Sequence, residues 1–277
     1  PERRLYPSAP PSARKRPHRR RSTAAGGHMS RIDRLDDMES AWPKHANRHE
    51  FDYASSVALS EAAVRRGFLK KVFGLVCMQL AATAAMCAVF MLVPSVRAFV
   101  LGTPSMLLVT FVGSMGFLVA ASAKKDSFPV NLYLLAGFTL CMGWSIGTVC
   151  AMYYAKGLGI VVLEALAITA SVTMGLTAYT LRSKADFSYL GAGLGSALWV
   201  LIIGGLMASL IEMPAMHLVM AIGGAVLFSL YIVYDVYLIS CRLSPDDYIF
   251  AAISLYLDIA NLFLHILRLL AEMAGRD

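Results

Sequence analysis

From Arg65 onward, apolar residues fill the chain in long runs separated by short polar breaks. The runs cover roughly 72–93, 105–123, 130–153, 158–180, 188–211, 217–240 and 248–270. Each is close to the ~20 residues that a helix needs to cross ~30 Å of hydrocarbon. Only helices and closed barrels satisfy every backbone group in lipid. Runs of unbroken apolar character lack the strict alternation of barrel strands. The pattern predicts an all-α protein, a polytopic membrane helical bundle of seven hydrophobic segments. Residues 51–277 form this bundle as one unit. The last segment holds Asp258, Asn261, His265 and Arg268, and it either crosses or dips in as a re-entrant segment.

Composition agrees. The 277 residues are 57% hydrophobic and only 16% charged, more apolar surface than a soluble domain of this size can hide. The net charge of +7 is misleading, because residues 1–21 hold eight basic side chains against the single acid Glu2, and the remainder is balanced. Residues 1–50 are rich in Pro, Arg, Ser, His and Gly, lack apolar periodicity and read as a disordered basic tail. The first 28 residues read either as a targeting extension or as translated upstream sequence, the second being favoured. No nucleic-acid partner is expected, since no folded domain accompanies the tail.

The basic residues give an orientation. Arg65, Arg66, Lys70 and Lys71 flank the first run, which predicts a cytosolic N-terminus by the positive-inside rule. Lys124, Lys125, Arg182, Lys184 and Arg242 then fall in cytosolic loops, and Lys156 in a lumenal one. Glycines at 143 and 147, and at 191 and 195, form GxxxG spacings, with further pairs at 204–205 and 223–224. Small residues let helices approach closely in lipid. Packing within the chain is the plain reading, and a homo-oligomer the alternative. Five cysteines show no CxxC and no zinc spacing, so they read as small core residues rather than a disulfide framework.

Two acids break the apolar pattern. Asp235 lies in the sixth apolar run and Asp258 in the middle of the seventh. A charge at the centre of a span costs about 2.5–3.5 kcal/mol on insertion scales. Such residues usually face a protein interior or a water path and act on ions or protons. The two segments are joined by a short loop, so the carboxyls can meet at similar depth. Two carboxylates in a dry site cannot both ionise easily and tend to share a proton. The pair reads as a pH sensor and ion pathway, with Ca²⁺ as the candidate metal because oxygen ligands suit it. The plain alternative is a pair of buried acids bonded to Tyr, Ser or Asn for packing alone.

Other polar residues admit plainer readings. Ser244-Pro245-Asp246-Asp247 reads as a helix start, with Ser244 as N-cap, Pro245 at the first helical position and two acids at the positive end of the dipole. Asp246 and Asp247 would also sit at a cytosolic mouth and attract cations. Glu164 reads as a lumenal vestibule charge or an interfacial acid, and Glu212 as an exposed loop acid. His217 and His265 lack a second ligand at metal spacing. Trp144 and Trp199 read as packing residues. No P-loop, HExxH or GxSxG motif is present. No enzyme and no resident cofactor are expected.

The stretches VYDVYLIS at 233–240 and LSPDDYIFAAISLYLDIANLFLHILRLL at 243–270 resemble the C-terminal signature of the transmembrane Bax inhibitor motif (lifeguard) family. The similarity is strongest to its Golgi anti-apoptotic (lifeguard 4) branch. Supporting stretches are FDYASSVA at 51–58, RGFLKKV at 66–72, PVNLYLLAGFTL at 129–140 and GLTAYTLRSKADFSYLGAGL at 175–194. The resemblance implies a seven-helix fold and a Ca²⁺ leak channel in Golgi and endoplasmic-reticulum membranes that lowers store calcium and suppresses apoptosis. It places the family's paired aspartates on Asp235 and Asp258, and its acid after Ser-Pro on Asp246. Two other classes compete. One is a non-conducting regulator acting through cell-death membrane proteins. The other is an intramembrane aspartyl protease, which Tyr234-Asp235 resembles but Leu255-Tyr256-Leu257-Asp258 does not, lacking Gly-x-Gly before the acid.

Overall fold

The computed structural model describes residues 48–275 apart from 126, 184, 212 and 213. The basic tail before residue 48, Lys184 and Glu212 therefore lie outside the described residues. The chain divides into a unit ending at Ala58 and a unit Leu59–Asp277, and the bundle below belongs to the second.

The described helices are α1 (Arg48–Leu92), α2 (Pro94–Gly102), α3 (Ser105–Ala123), α4 (Val130–Ala155), α5 (Gly159–Arg182), α6 (Leu190–Ile211), α7 (Pro214–Cys241) and α8 (Tyr248–Ala274), with a 3₁₀ turn at Pro245–Asp247. Seven of them hold a segment long and apolar enough to cross a membrane, beginning with Ala63–Leu92 in α1. The seven match the seven apolar runs. The exception, α2, fell in a stretch read only as a connection. Nine residues are too few to span, yet Pro94 sits at its first turn, where the missing N–H costs nothing. Val100 is 1% exposed and packs with Phe90 and Ala151.

The last segment does not turn back within the described residues and is long and apolar enough to cross. α8 is an unbroken helix of 27 residues, ~40 Å long. Its start follows the predicted chemistry. Ser244 accepts from the Asp246 backbone N–H at 3.5 Å, and Pro245 opens the turn that leads into the helix.

α8 is also the centre of the bundle. Two thirds of its apolar window (67%) is buried, against 6% for α6. It packs on α7, α5, α4 and α3, and Tyr256, Leu255, Leu262 and Leu267 are almost fully buried. The outer helices turn apolar residues outward, such as Leu108 and Phe111 on α3 and Ile203 and Leu206 on α6, as a lipid environment requires. Trp199 belongs to this surface. It was expected to pack inside, but it is 66% exposed, because α6 lies at the edge and a helix that is apolar all round does not reveal its inner face.

Glycine spacing does pack helices within the chain. A Cβ on Gly143 would lie 3.6 Å from the Thr83 Cα, and one on Gly147 would lie 2.9 Å from the Phe90 ring. α1 and α4 therefore meet nearly backbone to backbone. Between α7 and α8, a Cβ on Gly224 would strike the His265 imidazole, which is stacked on Phe228 with ring centroids 5.5 Å apart. Overpacking of this kind costs about 1–3 kcal/mol. Gly224→Ala is expected to lower the thermal midpoint of the detergent-solubilised protein. Gly223→Ala, which meets open space, serves as the control and leaves the midpoint unchanged.

Candidate ion and proton site between the last two helices

α7 and α8 run antiparallel through the short loop 242–247 and form the most extensive helix pair among those described. Asp235 lies six residues before the end of α7, ~9 Å along the axis, and Asp258 ten residues into α8, ~15 Å along it. The two carboxyls lie close enough to interact with each other. Asp258 is 7% exposed and Asp235 half-buried. The Ser254 hydroxyl, one turn before Asp258, lies near Asp235. Oδ2 of Asp258 is buried and has no hydrogen-bond partner. Carboxylates only accept hydrogen bonds, so the two side chains bond each other directly only when one of them holds a proton.

The pair opens a longer polar line. Ser254, Asp258, Asn261, His265 and Arg268 follow alternating spacings of four and three, which place them on one stripe of a helix. Two members of the stripe meet α7: Asp258 lies by Asp235, and His265 meets Gly224, Phe228 and the Met220 backbone. Nδ1 of His265 is buried without a partner. The ring itself packs against Phe228.

A second polar set lies on the other side of α8. Tyr256 and Asp258 are two residues apart, about 200° around a helix, so they face different neighbours. The Tyr256 hydroxyl bonds Thr83 of α1 at 2.8 Å. One turn away on α1, Gln79 Nε2 donates to Thr139 Oγ1 of α4 at 3.1 Å. Sequence reasoning missed both pairs. The four-residue spacing of Gln79 and Thr83, like that of Ser254 and Asp258, was the available signal.

The remaining predicted residues stand apart from the pair. Asp247 pairs with Lys125 at 3.0 Å. Asp246 is exposed at the head of α8. Lys71 sits over the Tyr248 ring, 3.2 Å from its centroid, and Asn131 Nδ2 donates to the Tyr248 hydroxyl at 2.8 Å. Glu164 is exposed, near the start of α5 and ~27 Å along that helix from the end that carries Arg182. It is not brought to the aspartates. Among the described residues no group of three or more His, Cys, Asp or Glu gathers as a metal centre. The aspartates thus form a two-carboxyl site.

Near the same end the loop after α5 is tied to α7. Tyr237 donates its hydroxyl to Asp186 Oδ1 at 2.6 Å, and the Ser188 backbone N–H donates to the same oxygen at 2.8 Å. Arg242 Nε donates to the Tyr237 oxygen at 3.3 Å. Phe187 packs on Tyr237 with ring centroids 5.9 Å apart. This anchor was not anticipated, because it joins residues 51 positions apart.

Comparison with known proteins agrees with this architecture. The chain carries the signature of a helical membrane protein of the Bax-inhibitor class: the family described as "Inhibitor of apoptosis-promoting Bax1" matches residues 65–275. Among its relatives, the "Golgi anti-apoptotic protein" of Vaccinia virus (strain Lister) is 42% identical over 221 residues, covering 80% of this chain and 92% of that protein. "Protein lifeguard 4" of Mus musculus is 39% identical over 236 residues, covering 85% and 98%. "Bax inhibitor 1" of Schizosaccharomyces pombe is 34% identical over 229 residues, covering 82% and 85%. The chain belongs to this family.

The Tyr237 hydroxyl, with the Ser188 N–H, holds the Asp186 carboxyl down at a pKa of about 2. A depressed carboxylate contributes stability that is fully present above its ordinary value of about 3.9 and is lost as pH falls, here through about 2. Tyr237→Phe removes the main donor. The Asp186 titration, followed by carboxyl-carbon NMR, is expected to move up towards about 3.9.

Proposed function

We propose that this protein is a pH-sensitive Ca²⁺ leak of intracellular membranes, Golgi or endoplasmic reticulum, that lowers store calcium and so suppresses apoptosis. The observation that carries the reading is the contact between the Asp235 and Asp258 carboxyls inside the apolar bundle. Protonated, the pair bonds α7 to α8 and the path is closed. Ionised, the carboxylates repel and their oxygens become ligands for a hard cation, with the Ser254 hydroxyl beside them. The stripe through Asn261 and His265 continues the path away from the pair. Ca²⁺ is the cargo, and protons set the gate.

The orientation follows the basic residues. Arg65, Arg66, Lys70, Lys71, Lys124, Lys125, Arg182 and Arg242 gather at one end of the helices, with Arg97 and Lys156 at the other. The positive-inside rule makes the first end cytosolic, with Asp246 and Asp247 beside the entrance. The names of the Golgi anti-apoptotic and Bax-inhibitor relatives support the compartment and the survival role. A channel is favoured over an aspartyl protease because Leu255-Tyr256-Leu257 precedes Asp258, and bulky side chains there keep a substrate backbone away from the acid.

In proteoliposomes, Ca²⁺ flux is expected to fall as pH is lowered. Asp258→Asn and Asp235→Asn, which cannot ionise, are each expected to reduce flux by about tenfold, equivalent to ~1.4 kcal/mol, and to flatten its pH dependence. Unchanged flux in both variants rejects the site. A flux-dead Asp258→Asn that still protects cells from death transfers the survival role to a non-conducting regulator.

A further inference from the structure

Among the five cysteines, Cys77 and Cys241 are exposed and Cys141 is half-buried, while Cys87 and Cys150 are buried. These two come from α1 and α4, with 62 residues between them in sequence, yet both lie in one buried cluster with their thiols close enough to interact. The reason is the glycine-lined crossing. Gln79 meets Thr139, and Thr83 and Phe90 meet Gly143 and Gly147, so the helices run side by side in a single register. Cys87 lies one turn beyond Thr83, and Cys150 two turns beyond Gly143, on the faces already in contact. A disulfide needs Cα atoms about 4.4–6.8 Å apart, closer than helix axes usually approach at about 8–10 Å. At Gly143 a Cβ would lie 3.6 Å from the Thr83 Cα, so this crossing is closer than usual.

We infer that Cys87 and Cys150 are a redox modification site, a thiol pair that closes reversibly into a disulfide joining α1 to α4. The exposures set the order of reaction. Cys87 is 8% exposed and Cys150 0%, so Cys87 meets the oxidant and Cys150 resolves. The oxidant is a lipophilic small-molecule disulfide, since the pair lies within apolar helices. The Cys87 thiolate attacks one of its sulfurs, forming a mixed disulfide and expelling one thiolate. The Cys150 thiolate then attacks the Cys87 sulfur and expels the second. Two cysteine protons end on the two released thiols, and the two electrons lost by the cysteines reduce the reagent. The bond fixes α1, whose Thr83 holds Tyr256 of the central helix, and so adds a redox control to the bundle that is independent of the carboxyl pair.

The test is treatment of the full-length protein, in lipid, with dipyridyl disulfide. The background variant carries Cys77→Ser, Cys141→Ser and Cys241→Ser, so that two thiols remain. The expected result is a loss of both titratable thiols, an intact mass lower by two hydrogens with no pyridylthio adduct, and recovery of both thiols with dithiothreitol. Adding Cys150→Ser is expected to trap the adduct on Cys87. Two persistent thiols, or adducts on both cysteines without a link, overturn the inference. The wild-type digest guards against misfolding of the variant: a peptide linking Cys87 to Cys150 after oxidation supports the pair, and its absence counts against it. No readout depends on ion flux, so the outcome is separate from that of the proposed channel.

Discussion

The contact between Asp235 and Asp258 is the interaction to which the rest of the bundle answers. Two carboxylates side by side in an environment of low dielectric repel strongly, and a buried charge without a partner is costly. Their contact is compatible with packed helices only when a proton or a cation lies between them. The α7–α8 interface therefore contains a group whose charge state and whose packing cannot vary independently. The aspartates sit in the most extensive helix pair among those described.

α8 lies at the centre of the bundle. The helix is buried on several sides and carries a different polar neighbour on each: Asp235 towards α7, and Thr83 of α1 by way of Tyr256. A shift of α8 that relieves the aspartates must also strain the Tyr256–Thr83 bond. α1 is in turn held to α4 by Gln79–Thr139 and by the glycine crossing.

At the basic end the polar groups do a different job. Asp247 with Lys125, Asn131 with Tyr248, and Asp186 with Tyr237 and Arg242 join loops to helix ends. The exposed ion pairs add little to stability. Their geometric effect is larger, since they fix where α7 ends and α8 begins and hence the depth at which the two aspartates meet. Asp246, exposed beside these anchors, leaves a negative charge at the head of the central helix.

The number of spans, though not the short α2 or the full length of α1, was legible in the residues alone, because lipid imposes one rule on every span: about 20 apolar residues in a closed backbone. The aspartates were equally legible, since an acid in such a run violates that rule and so announces an interior role. The helix start at Ser244-Pro245 was readable for a local reason, being a matter of capping within four residues. Which face of each helix turns inward was not readable, because spans that are apolar all round give no sign of it, and Trp199 was misplaced for that reason. The partners of Tyr256, Asp186 and Cys87 were hidden for a second reason. Each lies on a helix far away in sequence, and only the packing of the spans, set by glycine gaps and side-chain shape, decides which distant residues touch.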